Sequence, residues 1–499
     1  MTNTTTTVST ATFQSISPCD NVRRSCLDAI KYRPDKRRVR KTTATATTAS
    51  TVGPDDYGSC ADAKSQHPQV DIDDGALQSL AFFIASMVAE KEKLSSSTEY
   101  DSSDDGKKAV DMVEWDECGW HYTGEEIEDL EERMERVALY VLALDCINFC
   151  FWPDLEEEEI DTAEKGLVDR DEHSSDSSNE KKEEELQYHH MASALASIMA
   201  RVDANGCPVV TAKSLANIDA TTLRSWLSPL LPSVAVWSER RGCTVLVPRL
   251  PGLAERARLL SELGNCLLAS NGGSALHLLR EAKGTADGLV RILTDTFPGF
   301  RDTCVDPRTG RQMFLYKRAQ IAVADLWAAF RSIYRDHPCH FSSKHDNTAV
   351  VIDNPCDFRD IRRLTTFADY RVPQLLREKG VILYDNFLAE TIDGKIELPA
   401  GSIWEVLIRA ATVVVVDRLV DAIREIILRG GDGKSVDTSS SIKEGAVLAL
   451  SSLPLERRTR IAHNEIDAVR VDWYLWQVGE KLEGEGKLRP HHRTRTVFY

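Results

Sequence analysis

Apolar positions fall into segments of helical length separated by polar stretches. That pattern predicts a mainly α-helical chain with few short strands. A first helix is expected over about 21–30, introduced by Ser17-Pro18-Cys19-Asp20, and a second over 76–90 with Asp73 or Asp74 as its N-cap. A helix over about 124–137 leads into residues 138–152, which are nearly all apolar yet contain Asp145 and Asn148. Buried polar groups need partners, so a polar network is expected to cross the core there. Further helices are predicted over 188–201, 217–227, 253–269, 275–281 and 288–296, with a short strand at 245–247. Residues 314–327 read as a strong helix that carries Lys317, Ile321 and Asp325 on one face. A long apolar helix ends near 428 before Gly430-Gly431-Asp432-Gly433, and the last helix covers about 465–480.

The connectors change the picture of domain organisation. Residues 1–14 are Thr/Ser-rich and are expected to be disordered, as are polar inserts at about 33–68, 93–108, 155–187 and 432–441. What remains, 15–499, reads as one unit resembling a helical bundle. The net charge of −17 is concentrated: residues 156–185 hold 14 Asp/Glu against 4 Lys/Arg. No basic footprint suited to a long polyanion emerges. No apolar run is long enough for a membrane span, and no apolar signal core opens the chain. Twelve cysteines without a C-x-x-C fit reduced thiols in an intracellular, cytoplasmic setting. Cys146 and Cys150 are expected on one face of a helix.

Chemistry concentrates where carboxylates sit among aromatics. In Arg362–Gln374, Asp369 lies between Phe367 and Tyr370, just ahead of a helix that Pro373 helps to start. Asp369 either caps that helix or pairs with Arg371, or it faces inward as a binding group. Asp472 stands beside Trp473, Tyr474 and Trp476, an arrangement as suited to base stacking as to a core. Asp325 is a further candidate buried carboxylate, and His121 lies between Trp120 and Tyr122. The pairs His189-His190 and His491-His492 read as surface histidines. P-loop, G-x-G-x-x-G, H-E-x-x-H and G-x-S-x-G motifs are absent, so nothing supports a metal or a cofactor. The residues point to a pocket for a flat ligand, with an aromatic plate on the ring and a carboxylate accepting from its N–H edge.

The blocks 144–152, 297–302, 316–327, 366–374, 404–409 and 472–476, with the ending 492–499, resemble the queuosine salvage protein family. The resemblance implies a fold similar to helix-hairpin-helix DNA glycosylases. It implies hydrolysis of queuosine 5′-phosphate to queuine and ribose 5-phosphate, without a cofactor and without direct contact to nucleic acid. It places His121, Phe367, Asp369, Asp472 and Trp473 in the pocket. Asp472 is then expected to stabilise or attack the ribosyl cation, and Asp369 to hold the base edge. Lys317, Arg318 and Arg409 are charge-matched candidates for the phosphate, and Asp325 is an alternative catalytic carboxylate. The competing readings are a non-catalytic queuine- or nucleotide-binding protein and a nucleic-acid base glycosylase.

Overall fold

Helices carry this chain. The computed structural model describes residues 17–32, 69–97, 115–116, 118–153, 160, 186–238, 242–336, 353–430 and 448–499. The elements run α1 (Pro18–Lys31), β1 (Val70–Ile72), α2 (Asp74–Ser97), α3 (Leu130–Ile147), α4 (Tyr188–Met199), α5 (Ala212–Ala216) and α6 (Ala220–Leu227). They continue with β2 (Ser233–Ser238), β3 (Cys243–Pro248), α7 (Leu253–Asn271), α8 (Ala275–Glu281) and α9 (Ala286–Thr296). Next come β4 (Thr303–Val305), β5 (Gln312–Phe314), α10 (Lys317–Asp336), α11 (Arg371–Glu378), β6 (Ile382–Tyr384) and α12 (Asn386–Asp393). The last three are α13 (Ile403–Arg429), α14 (Leu455–Asn464) and α15 (Ala468–Gly484). The strands form three two-stranded antiparallel pairs, β1–β6, β2–β3 and β4–β5.

Local chemistry sets the helix starts. Side-chain oxygens take up amides that the first turn leaves unbonded. Ser17 accepts from the Asp20 amide at 3.2 Å, Asp129 from Glu132 at 2.8 Å and Asp467 from Arg470 at 2.9 Å. Asp73 does the same for Ala76 at 2.7 Å, as the sequence suggested. Gly430 closes α13 in the left-handed region, φ 70°, which costs a glycine little. Asp129 starts α3 later than the apolar pattern implied, and the helix then runs on to Ile147.

The helices bury two main cores. The first gathers α3 to α10 around Met134, Leu142, Leu263, Leu293 and Phe330. The second gathers α2, α11, α13 and α15 around Ile84, Leu376, Val415 and Leu475. Trp473 packs against both, so α15 passes along their junction. A smaller cluster joins α1 and β5 to α13. The expected network in the first core is present: Asn148 Nδ2 donates to Asp145 Oδ1 at 3.4 Å.

Three expectations need correction. The helix expected from Phe314 begins only at Lys317, because Phe314 belongs to β5, which pairs with 303–305. Cys150 does not share a helix with Cys146: α3 has already ended, and Cys150 takes φ 47°. The expected insert at 93–108 begins too early, since α2 runs to Ser97. The remaining expected inserts and residues 1–14 lie outside the described residues, apart from residues 160, 186 and 187. Among the described residues every cysteine is free, and no helix is long and apolar enough to cross a membrane.

Candidate active site

A cavity of about 140 Å³ opens where the two cores meet. Its walls come from the segment before α3, the turn after it, the start of α4, one face of α10, the loop into α11, α15 and the tail around 491–499. Residues far apart in sequence thus share one space.

Asp472 projects from the first turns of α15 and is 3% exposed. Its Oδ1 accepts from the Phe367 amide at 2.8 Å and from the Thr366 hydroxyl. Burial, then the nearby charge of Asp369, pushes its carboxyl up to about 8, while these two hydrogen bonds pull the other way. Asp369 is half-buried at the cavity wall, and its Oδ1 accepts from the amides of Arg371 at 2.9 Å and Val372 at 3.1 Å. It therefore does cap α11, and it faces the cavity as well. Enclosure raises its carboxyl, and the ammonium of Lys317 is the chief opposing influence.

Lys317 opens α10 and is 4% exposed. Its charge favours the ionised forms of Asp145, Asp325, Asp369 and Asp472 together. Burial drives its own pKa down, and Asp369 and then Asp145 oppose that. Asp325, two turns along the same face of α10, is 4% exposed and held well above the carboxylate range by burial and then by Asp145. One ammonium cannot hold four dehydrated carboxylates ionised, so the cluster retains protons at neutral pH.

Aromatic side chains line the other walls. His121 stacks on Trp115, with centroids 4.1 Å apart and planes at 16°, and its Nδ1 lies 3.2 Å from the Tyr140 hydroxyl. Burial pushes this imidazole down to about 3, so it is neutral. Phe367, Trp473, Tyr188 and Trp476 complete the lining, with Tyr188 edge-on to Trp476 at 5.7 Å. At the far end Arg371 pairs with Glu480 at 2.6 Å and Glu483 at 3.2 Å, and Tyr370 stacks on His491 at 4.4 Å.

The sequence candidates His121, Lys317, Asp325, Phe367, Asp369, Asp472 and Trp473 all line this cavity. Arg318 and Arg409 stand apart from it. The Arg318 guanidinium donates to the carbonyls of Asp145 at 3.3 Å, Cys146 and Gly299, so it ties down the end of α3. Arg409 is seated on Asp302, Glu405 and the Ala368 carbonyl. The pair His491-His492 is not on the surface: His491 lines the cavity and His492 is buried. Sequence reasoning missed Tyr188, Tyr370, His491 and Tyr499 as lining residues. Tyr188 and His491 carried no signal, whereas Tyr499 lies in the ending 492–499 that carries part of the family resemblance. Among the described residues, no three His, Cys, Asp or Glu side chains are grouped to hold a metal ion.

A helical protein with stacked aromatic walls and dehydrated carboxylates around one ammonium is built to enclose a flat ring that bears polar edges. Comparison with known proteins specifies this class. Residues 128–499 match the family model described as queuosine salvage protein, and the chain belongs to that family. A Dictyostelium discoideum protein named queuosine 5′-phosphate N-glycosylase/hydrolase is 31% identical over 386 residues, covering 77% of this chain and 85% of that protein. A Sphaerobacter thermophilus protein of the same name is 31% identical over 367 residues, 73% and 82% respectively. A Bos taurus protein of that name is 30% identical over 250 residues, half of this chain and 59% of its own.

Proposed function

We propose that this protein hydrolyses the N-glycosidic bond of queuosine 5′-phosphate, yielding queuine and ribose 5-phosphate for return of the base to transfer RNA. The observation that carries this reading is the pair Asp369 and Asp472, held in unlike protonation environments at one aromatic-walled cavity. Trp473 and Phe367 stack on the base. Cleavage sends the C1′–N electron pair to the base and leaves a ribosyl cation, which a carboxylate stabilises.

Both carboxylates accept two hydrogen bonds on Oδ1, so burial divides the tasks: Asp472 is the drier of the two. Asp472 Oδ1 is committed to two donors, so the proton belongs on Oδ2. Asp472 is the acid that protonates the departing base. Asp369, with two backbone amides at a helix N-terminus and Lys317 nearby, is the ionised partner that faces the cation and takes a proton from the attacking water. Water supplies hydroxide to C1′, and its proton restores the acid, so the reaction balances. This reading gives Asp472 the task of the acid, where the family resemblance implied that it stabilises or attacks the cation. Asp325 and the neutral His121 complete the substrate contacts.

The same reading treats 15–499 as one glycosylase unit with polar inserts, related in fold to the helix-hairpin-helix DNA glycosylases and working in the cytoplasm. Its substrate is a mononucleotide. Among the described residues, the lysine and arginine side chains that line the cavity are Lys317, which lies in the field of Asp369 and Asp145, and Arg371, which is paired with Glu480 and Glu483; that balance suits no polyanion. The test is chromatographic: purified protein is incubated with queuosine 5′-phosphate and EDTA, and free queuine is quantified. Release supports the proposal. Tight binding without release would make it a binding protein instead.

A further inference from the structure

Arg409 lies outside the cavity, yet it is tied to both segments that bring opposite charges into it, directly to the one before α11 and through Asp302 to the start of α10. Its Nε donates to the carbonyl of Ala368, next to Asp369, at 2.9 Å. Its Nη1 and Nη2 donate to the two oxygens of Asp302 at 3.1 and 2.5 Å. Asp302 in turn accepts from the Lys317 amide at 3.2 Å, and its carbonyl accepts from Leu315 and Tyr316 at 3.1 Å, fixing the first turn of α10. Tyr316, just before Lys317, is held at φ 51°, a conformation that persists only when its surroundings impose it. Glu405 completes the seat at 3.4 Å from Nη1. Tyr499 closes it: its hydroxyl donates to Glu405 at 3.1 Å, and its ring lies 4.3 Å beneath the guanidinium. Tyr499 is also one of the residues that line the cavity.

We propose that Arg409 is a positioning residue for the reaction. Its planar fork sets the separation between the Lys317 ammonium and the Asp369 carboxylate, and docking of Tyr499 holds that fork in place. The inference rests on the proposed glycosylase function. Lysine cannot replace the fork, because a single ammonium cannot reach Asp302 through two parallel bonds and the Ala368 carbonyl through a third.

The test is the pH profile of kcat/KM for Arg409→Lys beside the unchanged protein. Charged and titratable groups acting on or with Asp369 are Lys317, Arg371, Tyr370, Asp472 and Glu480. Of these, Lys317 does most to keep Asp369 ionised. Loosening its placement should move the acid limb to higher pH and lower kcat/KM at neutral pH, toward the roughly 100-fold loss that a 1 Å misplacement brings. A purely structural arginine would reduce the amount of active protein without moving the limb. An unmoved limb in a folded Arg409→Lys protein overturns the proposal. Should that variant not fold, Tyr499→Phe decides, because it removes only the hydroxyl: an upward move of the limb supports the proposal, and an unmoved limb overturns it. Failure of the unchanged protein to release queuine would instead refute the proposed function.

Discussion

Asp472→Asn should weaken the enzyme and strengthen the fold, and the size of the second effect follows from the carboxyl's surroundings. Asparagine keeps an oxygen for the Phe367 amide and the Thr366 hydroxyl, and it fills the same volume. What disappears is a carboxyl whose pKa is raised from 3.8 to about 8 in the fold. Over that window the native protein binds a proton that the unfolded chain has released. The unchanged protein should therefore lose stability with rising pH, by about 1.4 kcal/mol per unit, relative to the variant. The two proteins should differ little from their baseline near pH 4. By pH 7 the gap should reach at most about 4 kcal/mol in favour of asparagine, and above about pH 8 it should stop growing. Urea midpoints of both proteins at pH 5, 6, 7 and 8 measure this. Catalysis should move the other way: loss of a general acid costs about 10²- to 10⁴-fold in kcat, and kcat/KM of the unchanged protein should fall above about pH 8. A gap that stays constant with pH would mean that Asp472 is ionised in the fold, and the acid assignment would be wrong. Full turnover by the asparagine protein would remove Asp472 from the chemistry altogether.

Other substitutions separate binding from scaffold. Trp473→Ala should raise KM by roughly tenfold or more, since stacking contributes ~1–3 kcal/mol per base, while Trp473→Phe keeps most of the affinity; an unchanged KM for alanine would leave Trp473 a packing residue only. Arg318→Met leaves the carbonyls of Asp145, Cys146 and Gly299 without their donor. It should lower stability by about 3 kcal/mol or more without changing KM in the folded fraction, whereas a KM increase confined to the phosphorylated substrate would restore the phosphate role that its charge suggested. Gly264→Ala puts a Cβ 2.2 Å from the Ala216 nitrogen, where α7 crosses α5. It should cost ~1–3 kcal/mol by overpacking, read as a lower urea midpoint, and a neutral result would mean that the two helices can separate freely.

Much of the helical content was legible because its causes are local. Apolar spacing, Asp and Ser caps and terminating glycines lie within a few residues of the elements they define. The helix over 275–281, the long helix capped by Ser402 and the cap at Asp73 follow from that information alone. The three-residue strands were missed because each exists only through a partner, and β1 finds its partner more than three hundred residues later. The aromatic-flanked carboxylates marked the cavity because a charge among apolar residues needs a reason to be there.

The chain by itself therefore determined which residues are candidates, but tertiary structure decided what each can do. Lys317, Arg318 and Arg409 are alike in sequence as cations that could match a phosphate. Packing aims Lys317 at four carboxylates, spends Arg318 on backbone carbonyls and seats Arg409 on Asp302. Asp369 and Asp472 are likewise both carboxylates beside aromatics. Both accept two donors on one oxygen and both feel Lys317, but Asp369 takes its donors from a helix end at the cavity wall, whereas Asp472 takes an amide and a hydroxyl within a drier site. Protonation state depends on dehydration and on nearby charges, and those neighbours come from distant segments: Lys317 and Asp369 are 52 residues apart, and Asp369 and Asp472 are 103 apart. Spacing along the chain cannot specify them. Only the meeting of the two cores does.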